Sequence, residues 1–189
     1  MSMLINFTNY VRGIDQSIFR FFHNLAGNSK AGDFIIVFFG EYLVYLVVIV
    51  FGYFLYKNGK SVIKNVYPYV TAIIAAIIAR FGVIVLFRYF YHRPRPFLAL
   101  SLEHLLINDS YSFPSGHTIF LFALGTATYF FNKKLAYFIF VSGLLVGLGR
   151  IAGGVHYPSD ILGGILLGAL IGFITYKIYY YFIQRFKVL

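Results

Sequence analysis

The chain is 189 residues long, 60% hydrophobic, 21% aromatic and only 12% charged, with a mean hydropathy of +0.78. One small domain lacks the interior volume to bury that much apolar surface, which excludes a soluble globular fold. The net charge of +10 is gathered in short clusters rather than a basic stripe with interleaved aromatics, which excludes nucleic acid as a partner, and the absence of cysteine removes disulfides and thiolate metal sites.

Within residues 1–30, Ile14, Ile18, Phe21, Phe22 and Leu25 recur at helical spacing among Arg12, Asp15, Arg20 and His23. The pattern predicts an amphipathic helix lying in the membrane interface, with a sixth span as the alternative. It has neither the continuous apolar core nor the cleavage site of a signal peptide. Hydropathy then predicts five spans: Phe34 to Tyr56, interrupted by Glu41; Tyr67 to Tyr91, interrupted by Arg80 and Arg88; Ser115 to Phe131; Leu135 to Gly149; and Asp160 to Phe182. Each is near the ~17–25 residues that cross a bilayer. The expected fold is an all-α, polytopic transmembrane helical bundle of five spans plus the interfacial helix. Residues 1–30 would form that helix and residues 31–189 the membrane domain.

Lys57, Lys60 and Lys64 occupy one connection, Lys133 and Lys134 another, and Lys177, Arg185 and Lys187 the C-terminal end. If those are cytoplasmic, residues 92–114 and 150–159 lie outside, and every connection obeys the positive-inside rule. Glycines four apart, Gly143 and Gly147 in the fourth span and Gly164, Gly168 and Gly172 in the fifth, predict close helix packing.

The two outward segments hold most of the remaining chemistry, in three clusters. Arg88 precedes Arg95-Pro96; Pro114-Ser115-Gly116-His117 opens the third span; Arg150, His156 and Asp160 bracket the start of the fifth. Three guanidiniums directed at one point repel one another unless an anion sits between them, and their planar forks match phosphate oxygens. Ser115 suits a helix N-cap and Gly116 a close backbone approach, together an anion site at a helix N-terminus. Asp160 lies four residues after His156, where it can accept an imidazole N–H and free the other nitrogen for attack, leaving His117 to protonate the departing oxygen. Scattered Glu103, Asp109 and Asp160 offer no set of ligands for a divalent cation, so no metal or other cofactor is expected.

Arg88…Arg95-Pro96, Pro114-Ser115-Gly116-His117 and Gly149-Arg150…His156…Asp160 resemble, in order and spacing, the motifs of the type 2 phosphatidic acid phosphatase (PAP2) superfamily, which shares its site with vanadium-dependent haloperoxidases. Arg88 stands where lysine is usual, and Gly149 where serine is common. The resemblance implies metal-independent lipid dephosphorylation through a phosphohistidine, with His156 as nucleophile, Asp160 as its partner and His117 as acid. Arg88, Arg95, Ser115, Gly116 and Arg150 would bind the phosphate. The short length and Gly40-Glu41-Tyr42 resemble bacterial undecaprenyl-diphosphate phosphatases. That implies a multi-pass protein of the bacterial cytoplasmic membrane, acting at its extracytoplasmic face on undecaprenyl diphosphate. Phosphatidylglycerophosphate, lipid A or another phospholipid phosphate is the alternative substrate, and a non-catalytic lipid or anion transporter the alternative of a different class. Glu41 is an accessory candidate, equally suited to an ion pair with a site arginine. A lipid tail would reach the site through a gap between the second span and the N-terminal helix.

Overall fold

In lipid a chain must satisfy its backbone polar groups internally, so the apolar runs fold as helices. The computed structural model describes residues 2–59 and 66–186, and Lys60, Lys64 and Lys187, three of the cations used to orient the chain, lie outside the described residues. The described residues are helical with no strand: α1 (Ser2–His23), α2 (Lys30–Gly59), α3 (Tyr67–Phe90), α4 (Pro96–Leu100), α5 (Gly116–Tyr129), α6 (Lys133–Ala152) and α7 (Pro158–Phe186).

Four of these, α2, α3, α6 and α7, are long and apolar enough to cross a membrane. The predicted third span is the exception. Its helix α5 has only 14 residues, about 21 Å at ~1.5 Å per residue. It stops where Phe131 and Asn132 turn back to the Thr128 carbonyl, and Asn132 Oδ1 then accepts from Leu135 N at 3.1 Å to cap α6. Ten of the α5 residues are nevertheless buried, because the helix lies at the centre of the bundle against α3, α6 and α7. The glycine stripe of α7 makes that approach: a Cβ on Gly168 or Gly172 would come within 2.5 Å of the carbonyl oxygen of Ile119 or Ala123.

Helices α2, α6 and α7 overrun their apolar segments, while α3 matches its predicted span to within one residue. Ser29 Oγ accepts from Gly32 N at 3.1 Å and starts α2 four residues before the apolar run. Hydropathy measures the length that faces lipid, whereas backbone hydrogen bonding continues into the polar layer. Two π-helical turns, Phe38–Tyr42 in α2 and Ile78–Val83 in α3, carry Glu41 and Arg80. No periodicity rule predicts them, although such turns gather at functional sites.

Helix α1 has one anchored side. Phe19 is fully buried against Ile151, Tyr157 and Ile161. Asp15 accepts from Ser159 N at 2.9 Å, and His23 Nδ1 lies 3.0 Å from the Ala152 carbonyl. All of these contacts fall at the end of the bundle where α6 stops and α7 begins.

Candidate active site

That same end gathers the three sequence clusters. Arg95 has an extended backbone ahead of Pro96, which begins α4. Its side chain is 1% exposed and fixed by donation to Ser110 O (2.6 Å), Val155 O (2.7 Å), Ser110 Oγ (3.1 Å) and Tyr111 O (3.3 Å). Arg95 Nη1 also lies 3.3 Å from His156 Nε2, which joins the first cluster to the third. Arg88 joins the first to the second: Nη1 donates to Ser110 Oγ at 2.9 Å and Nη2 to the Pro114 carbonyl at 3.3 Å. The second and third meet through the backbone, where Ser115 N donates to Asp160 O at 3.1 Å.

Ser115 occupies the N-cap position of α5, yet its hydroxyl makes no capping bond and accepts instead from Thr118 Oγ1 at 3.1 Å. Arg150, 1% exposed near the end of α6, donates from Nη1 to Gly40 O (2.9 Å) and Glu41 Oε2 (3.0 Å). Glu41 therefore forms the ion pair that its place in the span allowed. Arg88 Nε and Arg150 Nε are buried without a hydrogen-bond partner in the protein. Burial, followed by the Arg150 and Arg88 charges, pulls the Arg95 pKa down to about 9, which leaves it protonated at neutral pH.

His156 is 1% exposed and Asp160 fully buried. The expected hydrogen bond between them is a longer contact: His156 Nδ1 stands 3.4 Å from Asp160 Oδ2 and has no hydrogen-bond partner. Asp160 has other claims on it. Its carboxylate accepts from Arg93 Nη1 (2.7 Å), Tyr157 N (2.8 Å) and the Ser112 hydroxyl. Burial pulls the His156 pKa down to about 3, against the opposing pull of Asp160, so the imidazole is neutral across the physiological range.

Sequence reasoning missed Arg93, Ser112, Asp15 and Arg80. Arg93 bridges Asp160 (2.7 Å) and Asp15 (2.6 Å) while its guanidinium lies 4.1 Å from the Tyr157 ring centre. The Arg-Pro repeat at 93–96 was the available signal. Its acidic partners lie 67 and 78 positions away, beyond any spacing rule.

Gly149, where serine is common in the family, sits against α2: a Cβ there would lie 2.5 Å from Gly40 N and 2.9 Å from its Cα. Two cavities flank the site. One of about 790 Å³ lies between α1 and the end of α3, where a lipid tail was expected to pass, and includes Arg12, Asp15 and Arg93 but none of the motif side chains. A groove of about 350 Å³ between α2 and α3 has Gly116, His117 and Arg80 in its wall. Among the described residues, no three His, Asp or Glu side chains converge as metal ligands.

The chain is similar to several known proteins. The undecaprenyl-diphosphatase BcrC of Bacillus subtilis (strain 168) is 32% identical over 166 residues, covering 87% of this chain and 83% of that protein. A Bacillus licheniformis protein named bacitracin transport permease protein BcrC is 30% identical over 158 residues, 80% of this chain and 74% of its own length. The crystal structure of Aquifex aeolicus LpxE superposes with a TM-score of 0.65 at 29% identity, covering 86% of this chain and 94% of that one. The PAP2 superfamily profile matches residues 65–184, a stretch that runs from the start of α3 nearly to the end of α7 and holds all three clusters. This multi-pass membrane protein is a hydrolase and belongs to the PAP2 superfamily.

Proposed function

We propose that the protein hydrolyses undecaprenyl diphosphate to undecaprenyl phosphate, without a metal and through a phosphohistidine on His156. One observation supports the mechanism most: the first and third clusters meet with Arg95 Nη1 and His156 Nε2 3.3 Å apart, and the second joins them through the Pro114 carbonyl and Ser115 N. Arg88, Arg95 and Arg150, with the backbone at Ser115 and Gly116, hold the terminal phosphate, and the unpartnered Nε groups of Arg88 and Arg150 supply donors for its oxygens. Neutral His156 attacks phosphorus from Nε2. Asp160 receives Nδ1–H more closely as positive charge grows on the ring, a contact that commonly tightens only in the reacting complex. His117 protonates the leaving oxygen, and water then releases phosphate from the imidazole. Glu41 acts as an accessory by fixing Arg150.

The substrate reading comes from the B. subtilis relative, which by name acts on undecaprenyl diphosphate and aligns over most of both chains. We place the site at the extracytoplasmic face of the bacterial cytoplasmic membrane, with α5 as the third of five spans and α1 lying in the outer interface. Asp15 and His23 are about 12 Å apart along a helix. Both touch residues at the same end of the bundle, Ser159 and Ala152, so α1 runs across the helix ends rather than beside the spans.

Phosphate release in detergent from undecaprenyl diphosphate, phosphatidylglycerophosphate and lipid A, each with EDTA, tests the reading. The expected outcome is a preference for undecaprenyl diphosphate that survives the chelator. A magnesium requirement overturns the mechanism, and a preference for a phospholipid phosphate overturns the substrate. The name of the B. licheniformis relative supports a transport reading, but binding alone needs neither a nucleophile nor an acid. Catalytic phosphate release decides between the two.

A further inference from the structure

Arg80 lies inside the π turn Ile78–Val83 of α3, two turns before Arg88. Its guanidinium packs on the phosphate-binding turn, since a Cβ on Gly116 would be 3.1 Å from Arg80 Cζ and 3.2 Å from Nε. Arg88 reaches the same turn at the Pro114 carbonyl. Arg80 also shares the groove between α2 and α3 with His117, in walls otherwise apolar apart from Tyr45. Among the described residues no carboxylate pairs with it, because Asp15 and Asp160 engage Arg93 and Glu41 engages Arg150. Its charged contact is with the Phe81 ring, 5.5 Å away. A guanidinium on a membrane-crossing helix is costly, and its usual justification is a functional counter-charge.

We propose that Arg80 determines specificity for a lipid diphosphate by binding the phosphate nearer the lipid, while Arg88, Arg95 and Arg150 hold the terminal one. This rests on the reading of the chain as a lipid diphosphatase. In that reaction a bond forms between His156 Nε2 and the terminal phosphorus as the bridging P–O bond breaks. The electron pair stays on the bridging oxygen, which takes the His117 proton and leaves as part of a lipid monophosphate. Arg80 stands beside His117, on the side of that leaving group. A diphosphate puts a charged phosphate there, and more charge gathers on it as the bond breaks, so the attraction is strongest in the transition state. A lipid monophosphate puts only an alcohol oxygen there, with no anionic group for Arg80 to hold. Arg80 therefore favours the diphosphate selectively.

The test compares kcat/KM for farnesyl diphosphate and farnesyl phosphate, which share a tail and differ by one phosphate, in wild type, Arg80→Gln and Arg80→Lys. Arg80→Gln is expected to lose roughly 30-fold or more on the diphosphate and stay within about threefold on the monophosphate, as the loss of one charge-assisted contact to a single group requires. Retained monophosphate turnover shows that the variant is folded. Arg80→Lys, which keeps the charge, regains most of the preference. Equal losses on both lipids in both variants, or an unchanged ratio in Arg80→Gln, overturn the assignment while leaving the phosphatase reading intact. A wild-type protein that releases phosphate from neither lipid overturns the diphosphatase reading, and this assignment with it.

Discussion

At His156 the protein makes a neutral imidazole by burial and sets a carboxylate 3.4 Å from it. If its Nε2 forms the covalent bond to phosphorus, His156→Ala loses at least about three orders of magnitude in kcat while lipid affinity stays within roughly tenfold. Asp160→Asn is the milder lesion, because the ring remains and only its tautomer and orientation are released. Phosphate release and lipid binding in detergent measure both, and near-normal turnover in His156→Ala removes the nucleophile. Burial of this imidazole has a second consequence. Its pKa is about 3 in the folded protein and about 6.5 in an unfolded chain, so unfolding takes up a proton between those values. The unfolded state binds more protons there, and the His156 contribution to stability declines as pH falls from about 6.5 toward 3. Thermal melts from pH 5 to 6.5 in detergent should show a shallower pH slope for His156→Asn than for wild type; parallel slopes contradict the buried neutral ring. His156, Asp160 and the three arginines were legible as residues from their spacing. The attachment of Asp160 to Arg93 and Ser112 was not, since those contacts join segments far apart in the chain.

Among the helices, the decisive contact is the crossing of α2 and α6. Gly149 meets the Gly40 backbone, and the next residue on each helix, Arg150 and Glu41, forms the ion pair. Gly149→Ala drives a Cβ to 2.5 Å from a main-chain nitrogen, and no flexible side chain is there to swing away. The helices must part, at a cost of about 1–3 kcal/mol, with Arg150 displaced from its partners. The expected result is a lower Tm and weaker phosphate hydrolysis. Gly52→Ala on α2, the helix that carries Gly40, where nothing lies within 4 Å, should change neither. Equal behaviour of the two variants counts against the crossing. The sequence displays Gly149 as a departure from the common serine. It does not display Gly40 as the reason, because that needs the register of two helices.

For the whole molecule, the end that carries the three motif clusters is built from the ends of α3, α5, α6 and α7, with α1 packed against α6 and α7 there. The chain contains no cysteine, so single cysteines can report its orientation without background. Asp109→Cys, in the segment before α5, should react with a membrane-impermeant maleimide in intact cells. Lys133→Cys, at the start of α6, should react only after permeabilisation. The opposite pattern inverts the topology and puts the active site in the cytoplasm. Positive charge predicts this orientation without coordinates, since it is a property of the connections and not of packing.

The sequence by itself determined that this protein is a helical membrane protein of the PAP2 superfamily, with three motif clusters of arginine, histidine and aspartate. Lipid dictates helices from apolar length alone, and the motif residues recur at spacings that short segments set locally. Tertiary structure alone decided the shortness of α5, the π turns that carry Glu41 and Arg80, the bridge from Arg93 to Asp15, and the contact of Gly40 with Gly149. Each depends on which helix face meets which neighbour, and that is settled by close packing between residues remote in the chain, which no local pattern encodes.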